Sequence, residues 1–331
     1  VIGMQIRAAV ERGCRLIVVD PRDIGLAAHA DIHLKLRPGT NVAFANGIVN
    51  YLIQHELYDE DFVRERTEGF EILAATVRDY TPELVEDICG IDRRDLVAAA
   101  KMYAAADAAA LLYCLGVTEH STGTDGVMAL SNIAMISGNL GKPGGGVNPL
   151  RGQNNVQGAC DMGAGPDDLP GYQKVADPEV VRRFDKAWGV ALPRARGIKA
   201  TECFPAMIEG GIKGLFLFGE DPVRTDPDTH HVIRSLEALE FFVVDDLFMT
   251  ETAKYADVIL PGRSYAEKEG TFTNTERRVQ RVRKAVDGPT GARLDTALFP
   301  EVMNRMGSAQ PPLRAADAMD QSASGTPTAA A

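Results

Sequence analysis

The residues best suited to chemistry lie between Ser137 and Tyr172, where the 27 positions 137–163 carry eight glycines and a dense set of Asn and Gln side chains. Glycine lets backbone approach a ligand closely, and amides present donors and acceptors without charge. Such a stretch lines a site rather than filling a core. Two cations fall in it, Lys142 near its start and Arg151 among the amides. The Arg151 guanidinium can hold a small carboxylate through two parallel hydrogen bonds, or it can tie down loop carbonyls. Residue types alone leave both open. Spacing excludes other chemistries: Gly-x-Gly-x-x-Gly is absent, Gly141-Lys142 runs into Pro143 with Ile136 where a P-loop needs glycine, and His55-Glu56 meets Asp59 where a zinc helix needs His. The basic run from Glu276 to Lys284 alternates like a surface strand, and reads as a solvated face or as a phosphate-facing edge.

Cys14, Cys89, Cys114, Cys160 and Cys203 are odd in number and never form Cys-x-x-Cys, so neither a disulfide framework nor a zinc or iron–sulfur site is encoded here. They are expected to be buried fillers, since free Cys packs as a small hydrophobe. The chain has 331 residues, 45% hydrophobic and 24% charged, which suits about two globular domains. Its formal charge of −11 disfavours nucleic acid and anionic membrane surfaces. No apolar run approaches the ~18 residues of a membrane span. From Ser308 onward the Ala/Ser/Pro/Thr-rich tail has no aromatic residue and is expected to be disordered.

The elements that position these residues follow an alternating rhythm. A helical pattern opens at Val1, Leu16–Val19 is a strand stopped by Asp20-Pro21, and Ile32–Leu36 is a second strand ending at Pro38-Gly39. Thr40 or Asn41 caps a helix through Ile53; further helices are expected at about 59–66, 82–88 and 92–106, and 110–115 reads as a buried apolar strand. Strands alternating with helices indicate an α/β fold of two doubly wound, dinucleotide-binding-like domains with mostly parallel sheets. Strands at 214–218 and 241–244, with a helix at about 228–238, repeat the pattern. At a fixed offset of 226, Glu11 meets Glu237, Val18 Val244, Asp20 Asp246, Ala27 Ala253, Ala30 Ala256, Asp31 Asp257 and Leu34 Leu260. Any two βαβ units share some of this. The sharper reading is two copies of one nucleotide-binding unit, because acidic residues at strand ends suit a ribose hydroxyl or a guanine edge. The partner of strand 214–218 would lie before Val1, so the first unit is expected to lack its opening strand.

The stretch Val147-Asn-Pro-Leu-Arg-Gly-Gln-Asn-Asn-Val-Gln-Gly-Ala-Cys-Asp-Met162 resembles the signature loop of formate dehydrogenase alpha subunits, within the molybdopterin oxidoreductase family. The likeness extends through Val19–Arg22, Arg66–Phe70, Tyr80–Glu83, Gly116–Thr118, Gly219–Pro222, Asp246–Pro261, Glu267–Gly270 and Asn274–Arg277, and covers about residues 1–293. It implies reversible oxidation of formate to CO2 at a molybdenum or tungsten bis-molybdopterin guanine dinucleotide centre, in a cytoplasmic enzyme. Partners implied are formate and iron–sulfur or NAD-linked electron-transfer subunits. Arg151 would meet the formate carboxylate, with Gly152 and Gln153 beside the metal centre. Asp20, Arg22, Thr40, Leu115, Gly116 and Glu119 would lie near one cofactor tail, and Gly219, Asp221, Asp245, Asp246 and Lys268 near the other. The family's metal ligand is a Cys or selenocysteine followed by His; here Arg15, Gly90, Leu115, Asp161 and Phe204 follow the cysteines. No metal ligand is therefore assigned, and the 4Fe-4S cluster of the full-length protein is expected outside this chain. The family's cofactor-capping domain is likewise unmatched, and Thr296 follows Asp295 where Asp-Trp is usual. The implied domains are 1–153 and 154–265 for the cofactor, 266–307 returning toward an iron–sulfur domain, and the tail 308–331; this piece alone is expected to be inactive. Rival readings are a nitrate- or arsenite-type oxidoreductase and a non-catalytic cofactor-binding relative.

Overall fold

A computed structural model describes residues 2–307, and the tail expected to be disordered lies outside them. The fold is α/β with small, mostly parallel sheets. The chain divides into two compact units, Val1–Gly152 and Gln153–Ala331. No helix among the described residues is long and apolar enough to cross a membrane.

The first unit runs α1 (Ile2–Glu11), β1 (Ile17–Val19), β2 (Ile32–Leu34), α2 (Asn41–Gln54), α3 (Glu60–Arg66), α4 (Phe70–Val77), α5 (Pro82–Cys89), α6 (Arg93–Ala104), β3 (Ala110–Tyr113), α7 (Leu115–Thr118), α8 (Gly123–Ile136) and β4 (Gly146–Pro149). Asp59, Thr81 and Asp92 accept hydrogen bonds from the first-turn amides of α3, α5 and α6, which fixes where those helices begin. Helix α2 is the centre of the core: Phe44, Ile48, Val49, Tyr51 and Leu52 are buried with Val85, Leu96, Ala100, Leu130 and Ile133 from α5, α6 and α8. At Gly47 a Cβ would sit 2.5 Å from Val85 Cγ2, so only glycine permits this approach of α2 to Val85. The amide of buried Asn50 donates to the carbonyls of Val77 and Arg78, each at 3.0 Å, and satisfies the end of α4.

The second unit contains α9 (Val156–Asp161), β5 (Asp168–Leu169), β6 (Gln173–Lys174), α10 (Pro178–Trp188), α11 (Ala200–Ile208), β7 (Gly214–Phe218), α12 (Pro222–Thr225), α13 (Thr229–Glu237), β8 (Phe241–Asp246), β9 (Val258–Pro261), β10 (Gly270–Thr273), β11 (Val279–Val282) and α14 (Asp295–Arg305). Its parallel sheet has the order β7-β8-β9, and Phe242 and Val244 pack under Val232 and Leu236 of α13. The basic run forms β11, antiparallel to β10, with Arg281 paired to Glu269 at 3.1 Å.

The 226-residue offset persists as geometry. Ile17 pairs with Ile32 and Val19 with Leu34 in one unit; Val243 pairs with Val258 and Asp245 with Leu260 in the other. Asp31 Oδ2 accepts from the Leu16 amide at 2.8 Å, and Asp257 Oδ2 from the Phe242 amide at 2.7 Å. Each aspartate's own amide donates back to the same residue's carbonyl at 2.8 Å. Both strand pairs are joined through a short 3-10 turn whose closing alanine, Ala30 or Ala256, has φ −79° and ψ 140°. The shared aspartates and alanines are therefore the parts that build one local device twice.

Three expectations are corrected. Strand β3 stops at Tyr113 and is not buried: Ala110 and Leu112 are exposed, because it belongs to a two-stranded sheet, and Leu115 starts the short helix α7. Helices α4 and α8 and strand β4 of the first unit add to the elements expected from the sequence. Of the cysteines only Cys89 is buried; Cys14 is exposed and the other three are half-buried. Cys14 sits in the turn after α1, a helix with no buried residue, so it has no core to fill.

Candidate functional site

Strand β4 aligns in parallel with β3, Ala110 opposite Gly146 and Tyr113 opposite Pro149, and the Leu150 amide donates to the Tyr113 carbonyl at 2.7 Å. The pairing stops there, and Arg151 is the next residue, exposed beyond the carboxyl end of the strand. No hydrogen bond or ion pair engages its guanidinium among the described residues, so it ties down no loop carbonyl and is available to an anion. Gly152 has open space around it, and Gln153 is exposed.

At the end of β1, Asp20 Oδ1 accepts from the Arg22 amide at 2.8 Å and from Arg22 Nε at 3.3 Å. His33 Nε2–H donates to the Asp20 carbonyl at 2.9 Å. Burial acts to raise the Asp20 carboxyl, but the Arg22 amide and guanidinium, with His33, outweigh it and hold it below its ordinary value. Thr40 stands at the amino end of α2 without capping it by its side chain; the hydroxyl donates to the Arg37 carbonyl at 2.7 Å. Asn41 Nδ2 instead reaches the Gly116 carbonyl at 3.1 Å, which brings the Thr40 turn against α7. The bond ties Gly116 to the residue after Thr40, while Leu115 and Glu119, at the two ends of α7, are exposed.

In the second unit Gly219 follows β7 with φ 65°, a left-handed turn that suits glycine, and its amide donates to the Asp245 carbonyl at 2.9 Å. Asp221 is committed to structure: Oδ1 accepts from the Thr252 hydroxyl at 2.6 Å and from its amide at 3.0 Å. Asp246 Oδ1 likewise accepts from the amides of Leu247 and Phe248, at 2.6 and 3.1 Å. Asp245 differs. It is 2% exposed, and its Oδ2 has no hydrogen-bond partner. Gly262 leaves the other carboxylate oxygen uncovered, because a Cβ there would lie 2.5 Å from Asp245 Oδ1. Burial pushes the Asp245 carboxyl up, as do Asp295 and Asp246, against the pull of Lys268. Lys268 is ion-paired to Asp295.

Two contributors were not singled out by sequence reasoning. Gly262 carries no motif and matters only through its distance to Asp245, while Thr252 matters through its buried bond to Asp221. Among the described residues no group of three or more His, Cys, Asp or Glu is arranged to hold a metal ion.

The molybdopterin oxidoreductase family model matches residues 1–305. The F420-dependent formate dehydrogenase subunit alpha of Methanocaldococcus jannaschii is 48% identical over 92% of this chain and 45% of its own length. Formate dehydrogenase H of Escherichia coli is 46% identical over 93% of this chain and 43% of its own. Among solved structures, acetylene hydratase from Pelobacter acetylenicus superposes with a TM-score of 0.75 at 25% identity, over 92% of this chain and 45% of that one. The chain thus spans a little under half the length of the curated relatives it matches.

Proposed function

The chain belongs to the molybdopterin oxidoreductase family, and on that premise we propose that it is the central part of a formate dehydrogenase catalytic subunit, which oxidises formate reversibly to CO2. When bound, a molybdenum or tungsten bis-molybdopterin guanine dinucleotide would accept the two electrons and pass them toward iron–sulfur clusters, one a 4Fe-4S cluster held outside this chain. The fit rests on Asp245, whose buried Oδ2 has no partner and whose Oδ1 faces the bare Cα of Gly262, a carboxylate waiting for donors. A guanine edge supplies ring and amino N–H groups.

Residues 1–153 would hold one cofactor tail through Asp20, Arg22, Thr40, Leu115, Gly116 and Glu119. Residues 154–265, with Lys268, would hold the other through Gly219, Asp221, Asp245 and Asp246. For Gly219 and Asp221 this role is positional, since the glycine's amide and the aspartate's Oδ1 are already used within the fold. Arg151 would orient formate by two charge-assisted hydrogen bonds and hold its charge while the carbon is oxidised, with Gly152 and Gln153 beside it. The five free thiols support a reducing, cytoplasmic setting. Iron–sulfur or NAD-linked subunits are the proposed electron acceptors, and the F420 dependence of the Methanocaldococcus jannaschii relative favours an F420-linked partner as a second class.

The observation that carries this reading is the 46–48% identity to formate dehydrogenase alpha subunits across more than nine-tenths of the chain. The test is elemental analysis of the full-length protein expressed with its partners, alongside formate-dependent reduction of a viologen dye. Metal with dye reduction is expected. Metal without formate oxidation would favour a nitrate- or arsenite-type enzyme, and absence of metal a non-catalytic relative.

A further inference from the structure

Among the positions at which the two copies of the repeat differ beside the strand end, two stand out. Where the second unit has buried Asp245 the first has Val19, and where the first has Arg22 the second has Phe248. The backbone at the second of these positions is held in the same way in both units: the amide of Arg22 donates to Asp20 Oδ1, and that of Phe248 to Asp246 Oδ1. Yet Phe248 is 76% exposed, more than Phe241 at the start of β8, and its neighbours Leu247 and Met249 are exposed at 51% and 66%. An aromatic ring on a turn whose backbone is tethered, and largely open to water, is a surface that an apolar face should cover. The unpartnered oxygen of Asp245 lies three residues away on the same strand end. A hydrogen-bond acceptor at the end of β8 and an exposed aromatic ring three residues on are the two groups that the edge and the face of one nucleobase require.

We propose that Phe248 is the stacking platform for the base of the nucleotide tail held by the second unit, so that the two units grip their tails by different chemistry. This deepens the proposed cofactor reading and rests on it. The first unit offers a cation, Arg22, at the equivalent turn, and the second offers a ring face together with a buried acceptor. Stacking tolerates any base, whereas the Asp245 acceptor selects one with adjacent N–H donors, such as guanine. Guanine preference is thus assigned to the second unit, where both features meet.

The test uses the full-length protein prepared without cofactor and titrated calorimetrically with GDP. Wild type is expected to bind at two sites, and Phe248→Ala to weaken one of them by about 5- to 150-fold, the range of base–aromatic stacking, while leaving the other unchanged. Phe248→Trp should keep the affinity, and its indole fluorescence should be quenched as GDP binds. Exposure of Phe248 means that Phe248→Ala should unfold at the wild-type temperature, which separates stacking from stability. If Phe248→Ala binds GDP as wild type does, or the indole signal of Phe248→Trp is unmoved while Asp245→Val still loses a site, stacking is refuted and the cofactor reading stands. If wild type binds no GDP, both fall.

Discussion

Replacing Asp245 with Val, the residue that the first repeat carries at the equivalent position, should stabilise the cofactor-free protein while weakening its hold on a nucleotide. In the fold Asp245 is 2% exposed and Oδ2 has no partner, so water has been removed from a carboxylate without compensation. Leaving a buried acceptor unsatisfied costs about 1–3 kcal/mol, and more for a charged one. Valine has a β-branched side chain suited to a strand and brings no polar atom. A gain of roughly 2 kcal/mol is expected, which for a unit of this size raises the midpoint of thermal unfolding by about 4–8 °C. The pH dependence fixes the sign independently. Because the folded-state carboxyl is raised above its ordinary 3.8, wild type bears the penalty of the charged form at pH above the raised value, and sheds it as pH falls through that value toward 3.8. The advantage of Asp245→Val should therefore be widest near neutrality and narrow in mild acid. Differential scanning calorimetry of the cofactor-free full-length protein at neutral pH and at successively lower pH toward the ordinary carboxylate range, with and without GDP, measures all of this. A variant less stable than wild type near neutrality, or one that keeps the full GDP-induced rise, would refute the reasoning.

Arg151→Lys in the complete enzyme should lower kcat/KM for formate by roughly 10- to 150-fold, since loss of a bidentate charge-assisted pair is worth about 1.5–3 kcal/mol; steady-state dye reduction checks it, and unchanged kinetics would remove Arg151 from the site. Gly262→Ala places a Cβ 2.5 Å from Asp245 Oδ1 and should abolish one of two GDP sites in a calorimetric titration, the other serving as internal control. Gly47→Ala places a Cβ 2.5 Å from Val85 Cγ2 and should destabilise the first unit by about 1–3 kcal/mol in denaturant unfolding, with Val85→Ala in the same chain recovering part of the loss.

Much of the architecture was legible because it is local. The 226 offset, visible as seven identities, reappears as matching register, matching aspartate clamps and matching alanine turns, since each depends on residues within one short segment. Arg151 stood out because a lone guanidinium among glycines and amides is an unusual composition, and the fold leaves it without a partner among the described residues. What sequence could not supply were properties fixed by distant neighbours. Asp221 and Asp245 look equivalent as acidic residues near strand ends, yet the first is bonded to buried Thr252 and the second is orphaned, because residues some 17 to 31 positions away decide which oxygen is covered. The exposure of β3 and of Cys14 was missed for the same reason: an apolar residue type does not report whether another layer covers it.

The duplicated strand pair also has a consequence for how the chain folds. Two segments with the same register, and with leucine opposite the last paired residue in the first and its equivalent in the second, offer each other a competing pairing, Val243 with Ile32 instead of Val258. The native pairing closes a loop of about 15 residues, whereas the exchanged one must close more than about 200, and that difference in chain entropy is on the order of 2 kcal/mol, roughly 30-fold. The aspartate clamps can form as soon as each short loop is made. Synthesis then helps further, because the first pair emerges and closes long before the second exists. Proximity along the chain, rather than any difference between the two interfaces, is what keeps a tandem repeat from crossing over.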